Sequence, residues 1–277
     1  MTRQDLRQRG HAVRKDLGIA APTQPDVLPG FDDLMAEIAY GGIWDRPHLS
    51  KHDRMICTLA VCSPYLRPQL ATLIGSALDI GLTPLAMLEV FLQAGLYGGF
   101  VTTEAASEVA REVFAARGVS VPPQPPRDES NEELDAAGNA VMAKLHGERA
   151  SGGYAAPGNT ITGALYPAAI RYGYGELWGR PGLTHRERML VAIAAFTGLS
   201  LESQLRKFAQ SALNIGLSQD EVIEAVIQTG PYTGFPRALN DLGILTGVFP
   251  KGEAEGCVYR SFADRFPHQH SSSFACE

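Results

Sequence analysis

"AYGGIWDRP" runs from Ala39 to Pro47, and "GYGELWGRP" runs from Gly173 to Pro181. Between them the two words hold the chain's only tryptophans, Trp44 and Trp178, at the same place in each. A word that recurs with its rarest residue in register marks a duplicated unit. The match continues downstream. "LSKHDRMICTLAVCS" from Leu49 pairs with "LTHRERMLVAIAAFT" from Leu183, and "LATLIGSALDIGLT" ending at Thr83 pairs with "LRKFAQSALNIGLS" ending at Ser218. "QAGLYGGF" ending at Phe100 pairs with "QTGPYTGF" ending at Phe235, and upstream "GHAVRKDLG" from Gly10 echoes "GNAVMAKLHG" from Gly138. The chain therefore reads as repeat 1 over 1–118 and repeat 2 over 134–250. A proline-rich, charged linker over 119–133 joins them, and a tail over 251–277 has no counterpart.

The punctuation inside each repeat is helical. Ser50 with Asp53 and Thr184 with Glu187 form capping-box patterns ahead of apolar runs of helical length. Gly81 and Gly216 fall where a helix end needs a left-handed residue. Thr83 followed by Pro84, and Ser218 followed by Glu221, mark the next helix starts. No stretch alternates like a strand, so each repeat is expected to be an all-α unit of about five helices.

Composition limits the function. A net charge of −6 gives no basic excess for nucleic acid or anionic membrane. Uncharged, strongly apolar runs such as 55–66 and 189–201 fall well short of the roughly 20 apolar residues of a membrane span. The charged N-terminus has no apolar stretch of the secretory kind, and a cytoplasmic location is the expectation. Cys57, Cys62, Cys257 and Cys276 show no CxxC spacing, and His268 and His270 lie in a polar tail without acidic company, so no metal site is expected.

The words "YGELWGRPGLTHRERML", "SALNIGLS" and "PYTGFPRALN" resemble the carboxymuconolactone decarboxylase family, within the alkyl hydroperoxidase D-like fold group. The resemblance runs through both repeats and is closer in the second. It implies two tandem helical domains about an internal pseudo-twofold axis, and a homo-oligomer such as a trimer forming a six-domain ring. It also implies one of two chemistries. Peroxidase-like members carry a CxxC pair, a histidine four residues later and a glutamate on the preceding helix. Those positions hold Leu201, Gln204, Phe208 and Met189 in repeat 2, while repeat 1 has Met55, Leu73 and "SPYLRP". Without a thiol pair, peroxidase chemistry is not expected. Decarboxylase members are cofactor-free enzymes acting on a carboxylated unsaturated lactone. That reaction needs a cation for carboxylate, a donor for the dienolate left by CO2, and a proton for carbon. The family's histidine before "ALNNG" is replaced here by Phe208 and Leu73.

Candidate residues follow from comparing the repeats. Glu202, Arg206 and Gln210 are spaced by four and share one helical face that is less polar in repeat 1; they suit either a surface ion pair or a polar pocket wall. Arg237 follows Pro236 in a first helical turn, where the dipole disfavours a cation unless an anion binds, and repeat 1 has Thr102 there. Tyr232, paired with Tyr97, could donate to an enolate or simply pack in the core. His185, close to His52 in the alignment, could titrate near neutrality in a first turn or be merely solvated. Arg188 and Arg54 occupy identical positions and suit bracing of a neighbouring helix or, for Arg188, substrate binding. The reading is a cofactor-independent lyase or decarboxylase for a small acidic ring compound, with catalytic Tyr232, His185 and Glu202 and substrate-binding Arg237, Arg206, Arg188 and Gln210. A non-catalytic binding or assembly protein and a biosynthetic cyclase or isomerase are the alternatives.

Overall fold

The computed structural model describes residues 2–20, 28–66, 68–125, 127–153, 156 and 158–249. The tail with Cys257, Cys276, His268 and His270 lies outside the described residues, as does Arg67. Repeat 1 contains α1 (Arg3–Asp16), α2 (Phe31–Met35) running into a π-helical segment (Ala36–Trp44), α3 (Lys51–Cys62), α4 (Leu70–Asp79), α5 (Pro84–Gly98) and α6 (Phe100–Arg117). Repeat 2 gives the same order: α7 (Asn131–His146), α8 (Tyr166–Ala168) running into a π-helical segment (Ala169–Glu176), α9 (His185–Leu199), α10 (Glu202–Asn214), α11 (Gln219–Thr233) and α12 (Phe235–Leu245). No strand occurs among the described residues.

The expected caps form. Thr184 and Glu187 close a full capping box at α9, Ser218 and Glu221 do so at α11, and Ser50 accepts from the Asp53 amide at α3. Gly81 and Gly216 adopt φ of 91° and 92°. Among the described residues each repeat has six α-helices rather than five, because the tryptophan word is itself helical. Its π-helical turns cross the repeat's first helix at glycines: a Cβ on Gly10 would stand 1.9 Å from the Ala36 carbonyl oxygen, and one on Gly138 would stand 2.3 Å from that of Ile170. α7 begins at Asn131, capped by Ser130 and Glu133, so the helix takes the last residues of the sequence-derived linker.

The central pair, α3 and α9, pack on one another, and each also packs against α5 and α11. Met55, Ile56, Met189 and Leu190 are sealed inside. The polar contacts across the boundary are reciprocal. Arg54 donates to Glu224 (2.9 Å) and Gln228 (3.0 Å), while Arg188 donates to Glu89 (2.9 Å) and Gln93 (3.1 Å). Arg46 reaches Glu224 (2.7 Å) as Arg180 reaches Glu89 (2.8 Å). Residue i of one unit meeting j of the other, with j meeting i in return, is the signature of a twofold relation. The substrate role for Arg188 is corrected here. Its side chain is fully buried, and its terminal nitrogens are committed to Glu89, Gln93 and two carbonyls of the tryptophan word.

Candidate functional site

Repeat 2 holds a cavity of about 710 Å³ between the end of α7, the start of α8 and one face of α10. α7 ends at His146, where Gly147 (φ 56°) turns the chain into a 3-10 segment, Gly147–Ser151. That turn carries Arg149 back over α10, where it donates to the Lys207 carbonyl (3.2 Å) and to Ser211 Oγ (3.1 Å). α10 contributes Gln204, Lys207 and Phe208, and Tyr166 and Tyr174 come from α8 and its π-helical extension. Ile161 and Leu165 form an exposed apolar lip.

His146 is the buried polar group of this cavity. Its Nδ1 lies 2.7 Å from Ser211 Oγ and its Nε2 lies 3.1 Å from the Tyr174 hydroxyl. Burial, reinforced by the positive charges of Arg149 and Lys207, lowers its pKa to about 4, so the ring is neutral near pH 7. Burial also raises the Tyr174 phenol, with Tyr97 and Tyr166 acting in the same direction. Behind His146 stands an aromatic wall: its ring meets Phe208 edge-on at 5.0 Å, Phe208 meets Phe196 at 4.9 Å, and Phe196 meets Tyr97 at 4.6 Å. The arrangement is a neutral histidine–tyrosine pair in an apolar box with two cations on its rim.

In repeat 1 the corresponding place is a smaller concavity of about 380 Å³, lined by His11, Arg14, Lys15, Gly18, Ile19 and Ala20. Arg14, the counterpart of Met142, lies over the Tyr40 ring at 5.5 Å and bonds Asp32 and the Ala20 carbonyl. Gly18 stands where repeat 2 has His146, and Ser76, the counterpart of Ser211, bonds the Leu17 carbonyl. A second concavity of about 700 Å³ runs between α5, α6 and the linker. Its walls are mainly apolar, and its Glu89 and Arg180 are already bonded to each other.

The sequence-derived candidates fall elsewhere. Tyr232 crosses the boundary and accepts from Trp44 Nε1 at 2.8 Å, so it belongs to the core of repeat 1. Tyr97 makes the reciprocal crossing and pairs with Trp178 of repeat 2. Arg237 donates to the Gly198 carbonyl and to the Tyr65 hydroxyl (2.7 Å). It caps the C-terminus of α9, where the dipole favours a cation, and it does not line the cavity. Glu202 and Arg206 are exposed and Gln210 is half-buried; none lines the cavity, which takes the adjoining face of α10. His185 packs edge-on to Trp178 at 5.8 Å and contacts Lys144 at 3.3 Å, outside the cavity lining. Burial, then Lys144 and Arg188, lowers its pKa. Cys57 and Cys62 are buried and form no disulfide, and burial pushes the Cys57 thiol up to about 12.

Residues 163–246, which include α8, its π-helical extension and α10 but not His146 or Arg149, match the carboxymuconolactone decarboxylase family. Repeat 2 is a carboxymuconolactone decarboxylase family domain. The chain is 38% identical over 79 residues to the 4-carboxymuconolactone decarboxylase of Acinetobacter baylyi, covering 28% of this chain and 59% of that protein. The chain is also 29% identical over 86 residues to the nitrosuccinic acid decarboxylase of Metarhizium robertsii, covering 30% of this chain and 60% of that protein. The chain thus spans about three fifths of each curated relative. A solved structure assigned as a gamma-carboxymuconolactone decarboxylase subunit from Burkholderia xenovorans superposes with a TM-score of 0.50 at 20% identity. It covers 90% of this chain and 95% of that one, so the two chains share a fold over both repeats.

His146, Arg149, Lys207 and Tyr174 were not singled out by sequence reasoning. One signal was present: "GNAVMAKLHG" matches "GHAVRKDLG" without a gap, with a histidine where the repeat 1 word ends in Gly18.

Proposed function

We propose that the cavity of repeat 2 decarboxylates a small compound carrying a carboxylate and a second oxygen function, without a cofactor. The observation that carries this reading is the neutral His146–Tyr174 pair, enclosed by aromatic rings and flanked by Arg149 and Lys207. A carboxylate leaves as CO2 most readily where it is poorly solvated, which suits the apolar side formed by Ile161, Leu165 and Phe208. Cations accelerate the step where charge develops, not where it starts. Arg149 and Lys207 therefore hold the second oxygen group. As the C–C bond breaks, its electron pair moves into a conjugated carbonyl or nitro group, and the resulting enolate or nitronate oxygen meets the guanidinium and ammonium. A proton from solvent, passed along the Tyr174–His146 edge, completes the product at carbon.

Two features support this reading. Both curated relatives bear decarboxylase names. His146 also reaches the ring of Phe208, the position at which the resemblance expects a histidine, so an imidazole is delivered to the same place from α7. The homo-oligomer expectation is carried in the same proposal, supported by exposed apolar side chains at matching starts of α6 (Phe100, Val101) and α12 (Phe235). No helix of the described residues is long and apolar enough to cross a membrane.

The test is CO2 release from carboxylated unsaturated lactones, nitrosuccinic acid and 3-keto acids, with no added cofactor and with chelator present. Turnover that is lost in Arg149→Ala is expected. Tight binding across the panel with no CO2 release would replace the enzyme by a binding protein.

A further inference from the structure

Ser211 Oγ is the junction of the cavity's polar network. It donates to the Lys207 carbonyl (3.0 Å), accepts from Arg149 Nη2 (3.1 Å) and contacts His146 Nδ1 (2.7 Å). A serine hydroxyl has one proton and two lone pairs. On α10 that proton goes one turn back to a carbonyl, the usual partner of a mid-helix serine. Both lone pairs then receive N–H groups, one from Arg149 and one from His146. Nδ1 must carry the ring proton, and Nε2 is left to accept from the Tyr174 hydroxyl at 3.1 Å. The opposite arrangement, with Ser211 donating to Nδ1 and Nε2–H donating to Tyr174, empties a lone pair of a buried oxygen and makes one hydrogen bond fewer.

We propose that Ser211 is a positioning residue that holds neutral His146 as its Nδ1–H tautomer, so that the ring's open valence is Nε2, facing Tyr174. Any proton the site gains is then gained at Nε2, on the edge shared with the tyrosine that lines the cavity. The groups around that ring are Arg149 after α7, Lys207 and Ser211 on α10, and Tyr166 and Tyr174 from α8 and its extension; among the described lining residues none is acidic. Repeat 1 keeps the serine as Ser76 but lacks the histidine, and there the hydroxyl serves a backbone carbonyl alone. The pairing is therefore specific to the repeat that holds the cavity.

The inference rests on the reading of this cavity as the reaction site for its meaning, but its readout needs no turnover. The full chain, labelled with nitrogen-15 at histidine and ligand-free at pH 7, is examined by long-range proton–nitrogen correlation, with the His146 signals assigned by their loss in His146→Gln. A pyrrole-type Nδ1 and a pyridine-type Nε2 are expected. Ser211→Ala should lose that single pattern and Ser211→Thr should restore it. A pyridine-type Nδ1 in the unmodified protein, or an unchanged pattern in folded Ser211→Ala, would overturn the proposal. If Ser211→Ala does not fold, the tautomer of the unmodified protein still decides. The expected tautomer in a protein that releases no CO2 would leave the role of Ser211 standing and remove only the decarboxylase reading.

Discussion

Arg54 and Glu224 stand 2.9 Å apart across the boundary between the repeats with both side chains sealed from solvent, and Arg188 and Glu89 repeat the contact at the same distance. A buried pair of this kind contributes little over an apolar replacement of both partners. Removing one partner, however, strands a charge at a cost of about 3 to 5 kcal/mol. Arg188→Ala is therefore expected to lower the unfolding free energy by about that amount in denaturant titrations, and Arg54→Ala to do the same. A stable Arg188→Ala protein that has lost only ligand affinity would contradict the bracing role.

The same network explains what the sequence could and could not reveal. The helix caps and the glycines at helix ends are local features, and they were legible because each depends on a few neighbouring residues. Tyr232 was misplaced because aligning the repeats pairs it with Tyr97 without saying which repeat either side chain enters; both cross the axis. The spacing of Glu202, Arg206 and Gln210 identified a face of α10, but period alone does not tell whether that face meets a cavity or water. His146 escaped because its helix precedes the tryptophan word, and only the Gly147 turn folds Arg149 back to join it.

A second outcome concerns anion affinity. With succinate as the probe in calorimetry, Arg149→Ala is expected to weaken binding by about 1.5 to 3 kcal/mol, the range for a hydrogen bond to a charged group. Arg237→Ala should leave the affinity unchanged, because that guanidinium caps α9 through Gly198. Equal losses in both variants would argue against the placement.

His146 also makes stability depend on pH. It titrates at about 4 when folded against an ordinary 6.5, so on acidification the unfolded chain takes up the proton first. Its contribution is complete above about pH 6.5 and disappears as the pH falls towards 4, a change on the order of 3 kcal/mol. Urea titrations at pH 7 and pH 4.5 should show a smaller loss of stability for His146→Gln than for the unmodified chain. Parallel losses in the two proteins would mean that the ring is not held neutral.

The thiols are expected to be silent. Cys57 is buried and its pKa is raised, and among the described residues it has only Cys62 as a companion thiol, itself buried. Cys57→Ala together with Cys62→Ala should keep turnover within about twofold under both reducing and oxidising conditions, apart from a stability cost of roughly 1 kcal/mol or more for the lost packing. Selective loss of turnover in the folded double variant would return the chemistry to a thiol.

The location of the ligand tests the account most directly. A crystal structure of the full chain with a bound substrate or unreactive dicarboxylate analogue should show the ligand in the repeat 2 cavity, one oxygen group on Arg149 and Lys207 and the reacting carbon towards Tyr174 and His146. Ligand beside Arg237 and Tyr232, or beside Tyr40 in repeat 1 after displacement of Arg14, with the repeat 2 cavity empty, would contradict it.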